Sequence, residues 1–379
     1  MDKKSSNSNL HKANKAKKDE FYTQLVDIEK ELKHYKEQFR EKVVYCNCDD
    51  PFESNFFKYF ALNFKALELK RLIATSYKPS PIANTQLRLF GDDKTLTEVK
   101  GRPKTNANKF IINEVGDFDG NGAFDLSDIA EQLKENKNNE WSPMEGDGDF
   151  RSHESIELLK QSDIVVSNPP FSLFREYMAQ LTEHNKKFLI IGNTNAITYK
   201  EIFKLIKDNK LRTGYTNFNV GMFFEVPDDW EQFHHKDKNG KKIARVSTSC
   251  WFTNLEVEKH KQEIILYKKF DQNIYPKYEN FDGIEVSKVQ DTPMDYKGGM
   301  GVPITFVDKY NPDQFEIIGL GISNSGLEIG VKPYKEEHKK YRKEIQKRGA
   351  VDGDLYMIKN GIVEVPYARI LIKNKKTQK

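Results

Sequence analysis

Residues Asp163–Phe171, Asp-Ile-Val-Val-Ser-Asn-Pro-Pro-Phe, join a short apolar run to four residues whose types suggest chemistry. The apolar run reads as a buried parallel strand. Two consecutive prolines cannot donate to a sheet ladder, so the backbone must leave the sheet at Pro169-Pro170. That exit is the carboxyl end of the strand, where open α/β sheets place their ligands. Asn168 offers a side-chain carbonyl, Pro169 a backbone carbonyl with no competing local donor, and Phe171 a flat face. Two such acceptors suit the two N–H bonds of a planar exocyclic amine and would draw its lone pair out of conjugation. Phe171 could then stack on the amine's ring. A strand followed by a proline turn is the other use of the same residues, since Asn-Pro and Pro-Pro are ordinary loop signals.

The surrounding pattern supplies elements to position this exit. Leu25, Ile28, Leu32, Tyr35 and Phe39 recur at helical spacing with Glu and Lys between them, a stripe read as core packing. Val43–Cys48 reads as a first strand, residues 54–69 as a helix, and Leu72–Tyr77 as a second strand. Residues 163–167 and 188–192 read as later strands, with helices over 173–182 and 197–209. Strands alternating with helices predict a parallel, doubly wound α/β sheet. Val220–Val226 and residues 248–257 are both strand-like and are expected to pair with each other, antiparallel, at one edge.

Further motifs stand around Asn168-Pro169-Pro170-Phe171. Asp19-Glu20-Phe21-Tyr22-Thr23-Gln24 lies upstream, followed by Val43-Val44-Tyr45-Cys46-Asn47-Cys48-Asp49-Asp50-Pro51 and by Gly146-Asp147-Gly148-Asp149-Phe150. In content and order this set resembles the EcoRI-type adenine-specific DNA methyltransferases, from about Leu10 to Lys375, with a variable stretch around residues 80–140. The resemblance implies a Rossmann-like, S-adenosylmethionine-dependent methyltransferase sheet, mostly parallel with an antiparallel edge strand, and a C-terminal target-recognition region. It also implies transfer of a methyl group to the 6-amino group of an adenine flipped out of double-stranded DNA and caught by Phe171. The role of modification enzyme beside a separately encoded restriction endonuclease goes with it. Methylation of RNA guanine or protein glutamine, and a catalytically silent DNA-binding protein on the same fold, are the alternatives.

By the same resemblance, Asn168, Pro169, Pro170 and Phe171 are the catalytic residues and Phe21-Tyr22-Thr23 grips the cofactor carboxylate. A helix N-cap at Thr23 is a compatible use. Asp49, Asp50, Pro51, Ser54 and Asn55 stand where the family wraps the methionine part of the cofactor, with Ser54 and Asn55 in place of its glycines. Helix capping is the bland use of that turn. Asp149 would accept from the cofactor's adenine amine while Phe150 packs on that adenine. Ser76-Tyr77 stands where the family places an acidic ribose contact.

Methyl transfer from a sulfonium needs alignment rather than a metal, so no metal is expected. Asp117–Asp128 spaces oxygen ligands as a calcium loop would, with Gly122 at the bend. Phe110–Val115 before it reads as a strand and not as an incoming helix, and a glycine-rich turn explains the same residues. Charged residues make up 31% of the chain but the formal charge is only +4, so a nucleic-acid surface must be local. Lys3, Lys4, Lys12, Lys15, Lys17 and Lys18 form a flexible basic arm over residues 1–18, read as contacting phosphates. Residues 19–257 are expected to form the catalytic domain and 258–379 the target-recognition region, with the basic, tyrosine-bearing Lys332–Arg348 and the closing Lys373, Lys375, Lys376 and Lys379. Cys46, Cys48 and Cys250 are too few for a disulfide framework or zinc site. With no apolar run long enough for a bilayer and no signal peptide, a cytoplasmic protein is expected.

Overall fold

A computed structural model describes residues 22–48, 54–77, 107–117, 128, 138–226, 228 and 230–376. The expectations for the basic arm, Phe21, Asp49, Asp50, Pro51, most of the variable stretch and residues 118–127 of the calcium-like loop lie outside them. The chain divides into two compact units, one of Met1–Thr194 with Thr213–Glu256, the other of Asn195–Arg212 with Val257–Lys379. The sequence alone ran the first domain unbroken to residue 257.

The first unit opens with β1 (Tyr22–Thr23), α1 (Leu25–Leu32) and, after a tight turn, α2 (Lys36–Phe39). The helical stripe is core: Ile28, Leu32, Tyr35 and Phe39 are buried. Then come β2 (Val43–Cys46), α3 (Asn55–Leu62), β3 (Arg71–Thr75), β4 (Asn108–Ile112), β5 (Glu140–Pro143), α4 (His153–Gln161), β6 (Ile164–Ser167), α5 (Phe174–Glu183) and β7 (Lys187–Asn193). After α6 (Lys200–Lys207), which belongs to the second unit, come β8 (Arg212–Thr213), β9 (Met222–Val226), β10 (His235–Lys236), β11 (Lys242–Val246) and β12 (Ser249–Thr253). Helix α3 stops at Leu62, short of the expected 69, because Asn63 turns its amide back onto the Tyr59 carbonyl at 2.8 Å and Glu68 takes φ +48°.

Eight strands form the main sheet in the order β5-β4-β3-β2-β6-β7-β12-β8. Its centre, β3-β2-β6-β7, is parallel, as the helical crossovers demand. Every residue of β2 and β6 is buried, the signature of strands covered on both faces. Antiparallel strands lie on both flanks, β4 beside β3 and β12 beside β7, and not at one edge alone. The strand over 108–112 returns alongside β3, with Phe110 stacked on Trp141 at 5.8 Å and against Phe57.

The expected pairing of Val220–Val226 with 248–257 does not occur. β9 joins a separate four-stranded sheet, β1-β9-β11-β10, while β12 enters the main sheet with all five residues buried. Alternation separates the two strands. β9 reads buried, half-buried, buried, half-buried, buried, which suits a sheet with one wet face, and β11 between them supplies its partner.

In the second unit, β13 (Gly283–Glu285), β14 (Gly299–Pro303), β15 (Phe315–Leu320), α7 (Ser323–Glu328), α8 (Glu336–Glu344), β16 (Met357–Lys359), β17 (Ile362–Glu364) and β18 (Arg369–Asn374) follow one another. The sheet order is β13-β14-β18-β15, with β16-β17 a separate hairpin. The buried Glu285 pairs with Arg369 at 2.7 Å and accepts a further bond from the Tyr278 hydroxyl at 2.6 Å. Gly301 makes room for that hydroxyl, which would lie 2.0 Å from any Cβ there. No helix among the described residues is long and apolar enough to cross a membrane.

Candidate active site

The carboxyl ends of β2 and β6 meet at Asn47. The Ser167 hydroxyl donates to its backbone carbonyl and the Tyr177 hydroxyl to its side-chain oxygen. Burial pushes the Tyr177 phenol well above its usual pKa, so it remains a donor. Beyond Asn47 the backbone turns sharply: Cys48 has φ +70°, a left-handed conformation that costs a non-glycine residue about 1–2 kcal/mol.

Asn168-Pro169-Pro170-Phe171 leaves β6 at that end. Asn168 and Pro169 are buried and Phe171 is half-buried, in a single 3-10 turn closed by Leu173 N–H on the Pro170 carbonyl at 2.9 Å. Helix α5 starts immediately after, and its first residue, Phe174, plugs the space over Gly192 of β7, where a Cβ would sit 2.4 Å from the ring. The turn is therefore held from behind. The ring of Phe171 meets Phe224 edge-on, centroids 6.5 Å apart at 85°.

Phe224 lies on β9, directly opposite Thr23 of β1. This pairing brings the Tyr22-Thr23 motif to the Asn168 turn from the other sheet. Tyr22 and Thr23 are buried, and the Thr23 hydroxyl has no hydrogen-bond partner among the described residues. It does not cap α1: Gln24 stands at that position and makes no side-chain cap. An orphan buried hydroxyl costs about 1–3 kcal/mol, so a ligand acceptor or donor suits it. The Asn55 amide donates to the Thr23 carbonyl at 2.7 Å and joins Ser54-Asn55 to Tyr22-Thr23. Ser54 caps α3, its hydroxyl accepting from Phe56 and Phe57 N–H at 3.2 and 3.4 Å. Its structural use is thus the observed one.

The Gly146–Phe150 loop reaches the same end of the sheet. Gly148 has φ +77°, and a Cβ there would lie 2.0 Å from the Ser76 carbonyl oxygen, so only glycine lets the loop lie against the end of β3. Phe150 is buried edge-on against Tyr177, 5.0 Å away, and its carbonyl accepts from Gln180 at 2.9 Å. Asp149 is gripped by Arg151: its Oδ1 accepts from the Arg151 backbone N–H at 2.8 Å and Nε at 2.9 Å, its Oδ2 from Nη2 at 2.7 Å. The Arg151 hydrogen bonds hold the Asp149 carboxyl below its usual pKa. A carboxylate has about four acceptor sites, so Oδ2 retains one for a further donor. Arg151 also reaches Glu176 at 2.7 Å. The Ser76 hydroxyl is occupied by the Asn108 N–H at 2.8 Å, closing the β3–β4 pair.

The motifs at Tyr22-Thr23, Ser54-Asn55, Asp149-Phe150 and Asn168–Phe171 are therefore linked through Phe224, Tyr177 and Asn47, none of which sequence reasoning singled out. Only contact reveals those three. Arg151 carried a local signal, being a cation two residues from Asp149. The calcium-like loop retains Asp117 and Asp128, and among the described residues no group of three or more His, Cys, Asp or Glu could hold a metal.

An orphan hydroxyl at Thr23, a remaining acceptor on Asp149 and a glycine-only approach at Gly148 fit a cofactor with an amino-acid end and a purine end. This chain belongs to the family of the adenine-specific methyltransferase EcoRI, whose profile matches residues 9–375. It is 43% identical over 384 residues to the Type II methyltransferase M.EcoRI of Escherichia coli, covering 100% of both chains. It is 38% identical to the Type II methyltransferase M.MgeORF184P of Mycoplasma genitalium, over 82% of this chain and 85% of the relative. To M.MpnI of Mycoplasma pneumoniae it is also 38% identical, over 82% and 84%. No solved structure matches the chain significantly.

Proposed function

We propose that this chain is a site-specific DNA methyltransferase that moves the methyl group of S-adenosylmethionine to the 6-amino group of a flipped-out adenine, as the modification enzyme of a cytoplasmic restriction-modification pair. The observation that carries the reading is the convergence of the buried Asn168-Pro169 exit from the parallel centre of the main sheet with Phe171, and with Phe224 and Thr23 of the neighbouring sheet. S-adenosylmethionine supplies a methyl group already activated on a sulfonium. Asn168 and the Pro169 carbonyl accept the two N–H bonds of the adenine amine and orient its lone pair. Phe171, backed by Phe224, offers a ring face to the extruded base. Thr23 and the backbone beside it hold the cofactor's carboxylate, and Asp149 accepts from its adenine amine with Phe150 behind. Asp49, Asp50 and Pro51 complete the grip on the amino-acid end.

The central sheet would then be a Rossmann-like methyltransferase sheet and the Val257–Lys379 part of the second unit the target-recognition region. Helix α8 favours that assignment, because Lys340 and Lys343 stand three residues apart on exposed positions of the helix and Lys347 is exposed just beyond its end. The test is transfer of tritiated methyl groups to plasmid DNA, total RNA and a glutamine peptide, followed by nucleoside analysis. Label confined to N6-methyladenine in duplex DNA is expected. Label in guanine or glutamine, or none at all, overturns the reading.

A further inference from the structure

The sheet that carries Thr23 and Phe224 ends on its far side in the β10–β11 hairpin, which neither the packing nor the site explains. Between His234 and Arg245 stand Lys236, Lys238, Lys241, Lys242 and Arg245 against the single acid Asp237, in a chain whose formal charge is only +4. The turn is well built: the Asp237 carboxylate accepts from Asn239 and Lys241 N–H at 2.9 and 2.8 Å, and Gly240 takes φ +80°. Three of the cations are tied to the protein. Lys241 pairs with Glu225 at 2.6 Å, Lys242 donates to the Trp230 carbonyl at 3.0 Å, and Arg245 donates to the Val220 carbonyl at 2.6 Å. Lys236 and Lys238 are exposed and, among the described residues, their ammonium groups make no ion pair or hydrogen bond. Beside them the rings of Phe233, His234 and His235 are exposed as well.

Strand register sets the distance from this charge to the site. Tyr22 stands opposite Glu225, Glu225 opposite Ile243, and Ile243 opposite His235, one row across four strands. Three strand spacings amount to roughly 14 Å. At about 3.4 Å per base step of a duplex, that separation equals about four steps.

We propose that the β10–β11 hairpin is a DNA-backbone grip built into the catalytic unit, with Lys236 and Lys238 as its phosphate contacts. The inference rests on the DNA-methyltransferase reading above. It is tested with the full chain and its Lys236→Gln/Lys238→Gln variant, by binding to a short mixed-sequence duplex over about 50 to 200 mM salt. Tritium transfer to plasmid DNA and mapping of the methylated sites accompany it. Loss of two phosphate contacts makes the slope of log affinity against log salt shallower by about 1.8, so the wild-type advantage shrinks about tenfold across that range. Methylated sites and the single-turnover rate at saturating DNA should stay the same, because phosphate contacts carry no sequence information. A Lys238→Glu variant should bind more weakly than Lys238→Gln. Equal slopes and affinities would make the hairpin a solvated loop, and altered sites would make it a base reader; either overturns the proposal. Wild-type protein that methylates no duplex DNA overturns the underlying reading instead, a result the transfer assay reports independently of the slopes.

Discussion

Asn168 and Asp149 present an amide and a carboxylate at one end of one sheet, and the different duties proposed for them match different surroundings. Asn168 is 7% exposed, beside a proline that has no N–H, so its carbonyl works in a setting poor in competing donors. Asn168→Ala should lower turnover about a hundredfold, the scale of losing one preorganised group, with cofactor affinity little changed. Single-turnover methylation at the wild-type rate would remove Asn168 from the mechanism. In the proposed role Phe171 acts through its face, so Phe171→Trp should keep substantial activity where Phe171→Ala does not. A fluorescent base analogue at the target adenine gives the comparison, and equal flipping signals for wild type and Phe171→Ala would contradict stacking. Asp149 is held below its usual pKa by Arg151, so it stays ionised as pH falls through the ordinary carboxylate range, and its ability to accept is lost only below that. In Arg151→Gln the folded pKa rises, and S-adenosylmethionine affinity should fall off at a higher pH than in wild type. Calorimetric titrations at descending pH check it; superimposable profiles would show that Arg151 does not set the charge of Asp149.

At the scale of elements, the decisive contact is the pairing of β1 with β9, and buried acids on α1 hold it. Glu31 is fully buried, with Oε1 accepting from the Tyr35 hydroxyl at 2.7 Å and Tyr215 N–H at 2.6 Å, and Oε2 from Thr216 N–H at 2.7 Å and its hydroxyl at 2.6 Å. Asp27 accepts from Phe223 N–H at 3.3 Å, next to Phe224. Glu31→Gln would turn an NH2 toward groups that are themselves donors, leaving a clash or an unpaired N–H and costing about 1–3 kcal/mol in urea unfolding. An unchanged midpoint would mean the segment is held without it. This clamp also explains what could be read in the chain. The strands at 43–46, 164–167 and 187–193 and the stripe from Ile28 to Phe39 were legible because burial imposes a period or an apolar run. The partner of β9 was not, because nothing in Met222–Val226 distinguishes a neighbour at β1 from one at β12. The same holds for Asn47 with Tyr177, separated by 130 residues and joined by one hydrogen bond. The exit at Asn168 was legible for the opposite reason: two prolines end a strand wherever it pairs.

On the scale of the whole molecule, the division into units cuts across chain order. Helix α6 leaves the first unit after β7 and belongs with residues from Val257 onward: its Lys207 ammonium donates to the Ile318 carbonyl at 2.7 Å, and Lys200 pairs with Glu328 at 2.5 Å. Ile202, Phe203 and Ile206 on the same helix are buried. A chain ending at Glu256 therefore retains α6 without the unit that covers it. Exposing three such side chains costs about 1.5–3 kcal/mol each, a large part of the roughly 5–15 kcal/mol that holds a domain folded. The expected outcome is a truncated protein in which residues 195–212 exchange their amide hydrogens freely while β2, β6 and β7 remain protected, since the sheet's own crossovers stay within the chain. Hydrogen exchange read by mass spectrometry on the full and truncated chains decides it. Protection of 195–212 in the truncated protein would show that α6 finds its cover within the first unit, and uniform loss of protection would show that the first unit does not fold alone.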